Sequence, residues 1–338
     1  MAGQGERRVA VVGGGSWGTA FAAMLSERQG DVSLWVREPE ICDEIRHGRE
    51  NRTFLPGIPI PAAVRATTDL AEAVAGRGIV AFAVPSQHLR RVAEKAAPHL
   101  LPGARVVSLA KGVERGTLLR MTEVLAEVLP GFSAGLAALS GPTFAREVAE
   151  GKPTGATVAA ADQQAAFALQ AAFSGKRFRV YAETDVVGIE IGGSLKNIMA
   201  IAAGMSDGLG FGHNARSLLI ARGLAEITRL GVRLGATPQT FSGLSGLGDL
   251  VLTCTGDLSR NRTLGVRIGR GESVAEILSG MKMVVEGVDT VRAAVDLSRK
   301  TAVPMPISEQ VFCILHEGKD ALTAVSELFA RALRKERD

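Results

Sequence analysis

Lys196 and Asn197 stand in the middle of VVGIEIGGSLKNIMAIAAGM (186–205), a stretch that otherwise reads as a helix of valine, isoleucine, alanine and glycine. On helical geometry the neighbours of Lys196 on its own face are Gly192, Gly193, Met199 and Ala200, with no carboxylate among them. No partner within the helix accounts for the ammonium. Either it snorkels towards solvent, or it is held there to stabilise negative charge and surrender a proton.

A second candidate lies near the N-terminus. VAVVGGGSWGTAFA contains Gly13-x-Gly15-x-x-Gly18 between an apolar run and a helical pattern. The first glycine permits a tight turn, and the second lets the backbone approach a pyrophosphate. The third allows a helix to pack on the strand with its N-terminus facing the anion. In VSLWVREPE, Arg37 falls where a guanidinium can receive a ribose 2′-phosphate, while Glu38 beside it could face the ribose hydroxyl of NAD. Both could equally be solvated loop residues. NADPH is the expected cofactor, with NADH as the alternative.

Other polar residues gain meaning only together. Lys111 in SLAKGVE lies just past a strand's carboxyl end, where open α/β sheets bind ligands. SGPTFAREVAEGKPT (140–154) follows another strand, and GLSGLGDLVLTCTGDLSRNRTLG (243–265) carries Asp249, Thr253, Arg260 and Asn261. Alone, Lys111 is a loop lysine, Asp249 a turn or N-cap residue, and Arg260 a solvated helix start. Glu286 alone could simply precede a turn at Gly287. His88 and His213 are not assigned to the chemistry.

The elements that must position these residues divide the chain in two. Apolar runs at 8–12, 31–36, 78–84 and 104–110, with further candidates at 136–140, 155–160 and 177–181, alternate with segments of helical length. That succession predicts an α/β fold: a doubly wound, Rossmann-type dinucleotide-binding domain over 1–185. Beyond it, helical patterns at 186–205, 214–235, 273–280, 287–300 and 306–315 predict an all-α substrate and catalytic domain over 186–338. No Pro- or Ser-rich linker intervenes, so the halves should pack closely around a cleft. RALRKERD at the C-terminus reads as a frayed helix end.

Composition narrows the function classes. With 338 residues, 46% hydrophobic, 22% charged, 4% aromatic and a net charge of +4, the chain reads as a globular protein without a nucleic-acid-binding surface. Cys42, Cys254 and Cys313 are too far apart for a disulfide framework, and no Cys/His spacing suggests a metal site. The apolar run before the first glycines is too short for a secretory signal, and no stretch is expected to span a membrane. A cytoplasmic location is the default.

Taken in order, the glycine loop, SLAKGVE, GPTFAREVAEGKPT, GSLKN and GLGDL…SRNR resemble NAD(P)-dependent sn-glycerol-3-phosphate dehydrogenases of the bacterial type over nearly the whole chain. The resemblance implies reversible hydride transfer between NAD(P)H and dihydroxyacetone phosphate, giving the glycerophospholipid precursor sn-glycerol 3-phosphate. It implies Lys196 as general acid/base, with Lys111 and Asp249 beside it. Gly141, Thr143, Asn197, Thr253, Ser259, Arg260 and Asn261 would join them around the substrate. Gly13, Gly15, Ser16, Trp17, Gly18, Arg37, Lys111, Ala145, Arg260, Val284 and Glu286 would hold the cofactor. A triose phosphate is a dianion, which suits the guanidinium of Arg260 with the amide of Asn261. Gly192 and Gly193 are then expected to clear space beside Lys196 for substrate and nicotinamide. A homodimer and no metal are expected.

Two other readings compete. A β-hydroxyacid dehydrogenase shares this plan, but its G-x-x-x-K-x-x-N-N pattern puts the amides a turn beyond the lysine, whereas here Asn197 adjoins Lys196 and residues 199–200 are Met-Ala. A non-catalytic redox sensor would lack the proton donor or the phosphate-binding arginine.

Overall fold

A computed structural model describes residues 8–281, 284–333 and 335–336. The N-terminal part runs β1 (Val9–Val12), α1 (Ser16–Gln29), β2 (Val32–Trp35), α2 (Pro39–Gly48), β3 (Glu50–Asn51), β4 (Leu55–Pro59), β5 (Val64–Thr67), α3 (Leu70–Val74) and β6 (Ile79–Phe82). It continues through α4 (Leu89–Ala96), β7 (Arg105–Ser108), α5 (Met121–Val128), β8 (Leu136–Ser140), α6 (Ala145–Ala149), β9 (Thr154–Ala160), α7 (Gln163–Phe173) and β10 (Phe178–Glu183). Among the described residues these strands form one eight-stranded sheet in the order β10-β9-β8-β7-β6-β1-β2-β5, with β3 and β4 as a separate hairpin.

The apolar runs are strands because both their faces are buried. Val9 and Val11 enter one core while Ala10 and Val12 enter the other, so the sheet is covered on both sides. β1 pairs in parallel with β2 on one side and β6 on the other. The chain thus reverses direction across the sheet at β1, and the glycine loop leaves from that switch point. The sheet is mostly parallel, but β8 and β9 run antiparallel. The β3–β4 hairpin and edge strand β5 were not expected, because EN, LPGIP and VRAT contain no continuous apolar run.

The C-terminal part is helical: α8 (Val186–Gly208), α9 (Gly212–Arg233), α10 (Asp249–Thr255), α11 (Arg260–Gly269), α12 (Val274–Ser279), α13 (Glu286–Thr301), α14 (Pro306–Glu317) and α15 (Ala321–Phe329). α8 is its axis. Asp185 caps it by accepting the Gly188 N–H at 2.8 Å. A Cβ on Gly204 would stand 2.1 Å from the Arg262 carbonyl oxygen, and one on Gly265 2.1 Å from that of Ile201. Glycines on both helices therefore bring the backbones of α8 and α11 into contact, which places the start of α11 beside Lys196.

One expectation is qualified and one is corrected. α8 is by length and composition apolar enough to cross a membrane, but 83% of its most apolar window is buried inside the protein. Its apolarity serves the core. The helix before the C-terminus ends at Phe329, and Arg331–Leu333 are not helical, so the expected frayed helix end is not there. Arg334, Arg337 and Asp338 of that segment lie outside the described residues.

Candidate active site

The glycine loop is built by close approach. Gly13 has φ +128°, and a Cβ on it would lie 2.7 Å from the Ala83 carbonyl oxygen at the end of β6. One on Gly18 would lie 1.9 Å from the Gly13 carbonyl oxygen, so the third glycine lets α1 pack on its own entry loop. Gly15 differs: a Cβ there meets nothing within 4 Å. The first turn of α1 has no side-chain cap from Gly15. An uncapped helix N-terminus behind an open glycine is the donor set a pyrophosphate requires, so the residues present fit a dinucleotide.

The neighbouring side chains shape this end of the cleft. Ser16 donates to the Phe54 carbonyl at 2.6 Å, and Trp17 packs against Phe21 with ring centroids 5.4 Å apart. The Arg37 guanidinium, beyond β2, is paired with Glu38.

At the other end Lys196 finds the partner that its own helix lacks. Its Nζ donates to Asp249 Oδ1 and Thr253 Oγ1, both at 2.7 Å, and both residues come from α10. Lys111, leaving β7, donates to Asp249 Oδ2 at 2.7 Å and to the Gly141 carbonyl at 3.1 Å. Thr143 donates to that same carbonyl at 3.1 Å. One carboxylate thus joins two ammonium groups from the two halves of the chain. Burial lowers the pKa of Lys196 to about 8, with Asp249 pulling it up and Lys111 pushing it down. The group can therefore exchange a proton near neutrality.

The wall facing these lysines comes from α11 and α13. Ser259 caps α11 by accepting the Arg262 N–H at 3.2 Å. Arg260 donates to the Val284 carbonyl at 2.9 Å. The Asn261 amide donates to Asn197 Oδ1 at 3.1 Å, and its oxygen accepts the Gly287 N–H at 3.1 Å, tying α8, α11 and α13 together. Burial raises the pKa of Glu286, an effect opposed by Arg260, Lys111 and Lys196.

A cleft of about 650 Å³ collects most of the residues picked out in the sequence. Gly13, Gly15, Ser16, Trp17, Arg37, Lys111, Thr143 and Ala145 line its sheet side. Lys196, Asn197, Thr253, Ser259, Arg260, Asn261, Val284 and Glu286 line its helical side. Gly18, Gly141 and Asp249 do not line it. Gly18 and Gly141 serve close backbone packing, and Asp249, only 1% exposed, stands behind the two lysines. His88 is exposed at the rim and His213 is exposed away from the cleft. Among the described residues no His/Cys/Asp/Glu cluster could hold a metal ion.

One expectation about this site is wrong. Gly192 and Gly193 do not clear space for ligands: a Cβ on Gly192 would stand 2.7 Å from the Ser245 carbonyl oxygen, and one on Gly193 would meet the Ser140 hydroxyl at 2.3 Å. They let α8 lie against β8 and the turn at Leu244–Gly248. The sequence also hid a brace. Glu190, two turns before Lys196, accepts from the Thr122 N–H at 2.8 Å, the Thr122 hydroxyl at 2.7 Å and the Arg120 guanidinium at 2.6 Å. It fixes α8 to the start of α5, and only an acid between two isoleucines of an apolar helix hinted at it. Arg91 and Lys95 of α4 also face the cleft and had not been singled out. Their four-residue spacing was the available signal.

The family profile of the NAD-dependent glycerol-3-phosphate dehydrogenase N-terminus matches residues 8–166, and that of the C-terminus matches residues 185–326. A glycerol-3-phosphate dehydrogenase [NAD(P)+] of Geobacter sulfurreducens is 51% identical, over 98% of this chain and 99% of its own. One of Myxococcus xanthus is 52% identical, over 97% and 98%. The crystal structure of glycerol-3-phosphate dehydrogenase from Coxiella burnetii superposes with a TM-score of 0.91 at 39% identity, covering 96% of this chain and 99% of that one. With both halves matched and relatives aligned end to end, the chain belongs to the NAD-dependent glycerol-3-phosphate dehydrogenase family.

Proposed function

We propose that this chain catalyses the reversible reduction of dihydroxyacetone phosphate to sn-glycerol 3-phosphate with NADPH, accepting NADH less well, and so supplies the glycerophospholipid precursor. The observation that carries this reading is the Lys196 ammonium, buried yet bonded to Asp249 and Thr253, in the same cleft as the glycine loop and Arg260. Arg37 at the end of β2 supports the choice of NADPH.

Gly13, Gly15 and the N-terminus of α1 hold the pyrophosphate, with Ala145, Val284 and Glu286 along the cofactor's path. The bound dinucleotide supplies the hydride. Arg260, Asn261 and Ser259 grip the substrate phosphate, which draws the guanidinium from the Val284 carbonyl to the stronger anionic acceptor. Lys196 then points at the C2 oxygen. As that oxygen becomes an alkoxide, the ammonium stabilises it and delivers a proton; in the reverse direction the free amine removes that proton. Asp249 keeps Lys196 oriented, and Lys111 adds a second positive charge at the substrate.

Following NADPH absorbance with dihydroxyacetone phosphate, then with a 3-oxo acid, tests the assignment. Turnover of the phosphate alone is expected; turnover of the acid alone points to a β-hydroxyacid dehydrogenase, and cofactor binding without any turnover points to a sensor. NADPH and NADH run side by side test the preference.

The boundary between the dinucleotide-binding and catalytic domains is placed at 185/186, supported by the last strand ending at Glu183 and α8 starting at Val186. A homodimer is supported by Phe211, Leu218, Leu322 and Phe329, which expose apolar surface on the helical half; sedimentation at graded concentrations checks it. Free thiols at Cys42, Cys254 and Cys313 support a cytoplasmic setting.

A further inference from the structure

The far end of the cleft, beyond the glycine loop, is walled by Trp35, Leu70 and Val92, an apolar slot suited to a purine. Four charged groups surround it: Arg37, Glu38, Arg91 and Lys95. Arg37, the obvious reader of a 2′-phosphate, is not free to act alone. Its guanidinium is paired with Glu38, which a phosphate must displace.

Arg91 and Lys95 are placed differently. They are one turn apart on α4, so both heads project from the same face into the same space. Among the described residues neither side chain has a hydrogen bond or ion pair with any other. Their neighbour Arg90 shows what ordinary cations on this helix do: it points elsewhere and is paired with Glu114 and Glu127. Both side chains are exposed to solvent at the edge of the slot, where an anion bound in the cleft could be met by two cations at once.

We propose that Arg91 and Lys95 are cofactor-specificity residues that close on the 2′-phosphate of NADPH from α4, opposite Arg37. This rests on the reading of the cleft as an NADPH site. A ribose monophosphate carries close to two negative charges near neutral pH, so it can engage Arg37 and both α4 cations at once, whereas the 2′-hydroxyl of NADH can engage none of them as an ion. The geometry makes dinucleotide preference a property of β2 and α4 jointly.

The test compares wild type, Arg37→Ala, Arg91→Ala, Lys95→Ala and the Arg91→Ala/Lys95→Ala double variant. KM is measured for NADPH and NADH at saturating dihydroxyacetone phosphate, inhibition by adenosine 2′,5′-bisphosphate is compared with that by AMP, and binding of the bisphosphate to the cofactor-free protein is measured directly by calorimetry. In the double variant the NADPH KM should rise about tenfold more than that for NADH, with a matching loss of bisphosphate inhibition. The salt dependence of the NADPH KM should flatten as well. Bisphosphate inhibition as strong as in wild type overturns the proposal, whatever the wild-type preference. Equal losses towards both dinucleotides overturn it too, because they describe general binding rather than 2′-phosphate recognition. Wild type that favours NADH, with bisphosphate inhibition still lost in the double variant, instead overturns the NADPH preference and keeps the role of α4.

Discussion

Asp249 holds Lys196 at 2.7 Å through one carboxylate oxygen and keeps its other oxygen, at the same distance, for Lys111. The carboxylate is 1% exposed, so this bridge works in low dielectric, where an unmatched charge is costly. Replacing Asp249 by Asn leaves two ammonium groups without their shared counter-charge. Turnover should fall about a hundredfold, and the alkaline limb of the kcat profile for reduction should move to lower pH, since the neutral amine becomes easier to form. A profile that keeps its limb in place would separate Asp249 from the acidity of Lys196.

The lysine's own titration gives opposite pH profiles for the two directions. With Lys196 as the proposed proton donor, reduction needs the ammonium, so its kcat should decline as pH rises through about 8; oxidation needs the amine, so its kcat should climb through the same value. Lys196→Ala should remove both limbs and lower kcat by a factor of about 10² to 10⁴, with dinucleotide affinity measured by fluorescence titration close to wild type. Wild-type turnover in that variant would rule out the proton-donor role.

Arg260 reaches across to the Val284 carbonyl at 2.9 Å, a contact that a dianionic phosphate would outcompete at the proposed site. Arg260→Ala should raise the KM for dihydroxyacetone phosphate about tenfold to a hundredfold, with a smaller change in kcat. Steady-state kinetics decide, and an unaltered KM would move the phosphate site elsewhere.

The glycines on either side of the cleft should respond in opposite ways to one added methyl group. Gly192→Ala forces a Cβ against the Ser245 carbonyl, so we expect about 1–3 kcal/mol of destabilisation in thermal or urea unfolding, along with lower turnover. Gly15→Ala meets no protein atom, so stability should stay within about 1 kcal/mol while the KM for the dinucleotide rises. A stable Gly192→Ala, or a Gly15→Ala with unimpaired cofactor affinity, would reverse these roles.

The sequence showed most where one cause acts alone. VAVV and LAAL are strand segments because both faces are covered, a condition visible as an unbroken apolar run. Lys196 stood out because its helix offered no partner. The partner itself, from α10, was not derivable from spacing: Asp249 lies 53 residues away and meets the lysine only because α8 and α10 pack together. Strands such as VRAT owe their existence to pairing with β2 rather than to composition. The purpose of Gly192 and Gly193 was misread for the same reason. What a missing side chain makes room for is decided by a segment that the local sequence does not mention.

α8 is covered along most of its length and pinned at its start by Asp185, in its second turn by Glu190 and along its later turns by α11. A proton donor mounted on such a beam, as proposed for Lys196, would have almost no freedom to seek its target. In the proposed mechanism, adjustment between empty and reacting states therefore falls to the Arg260 side chain and to the sheet side, which carries the glycine loop and Lys111, while Lys196 is the fixed point from which the reaction is measured.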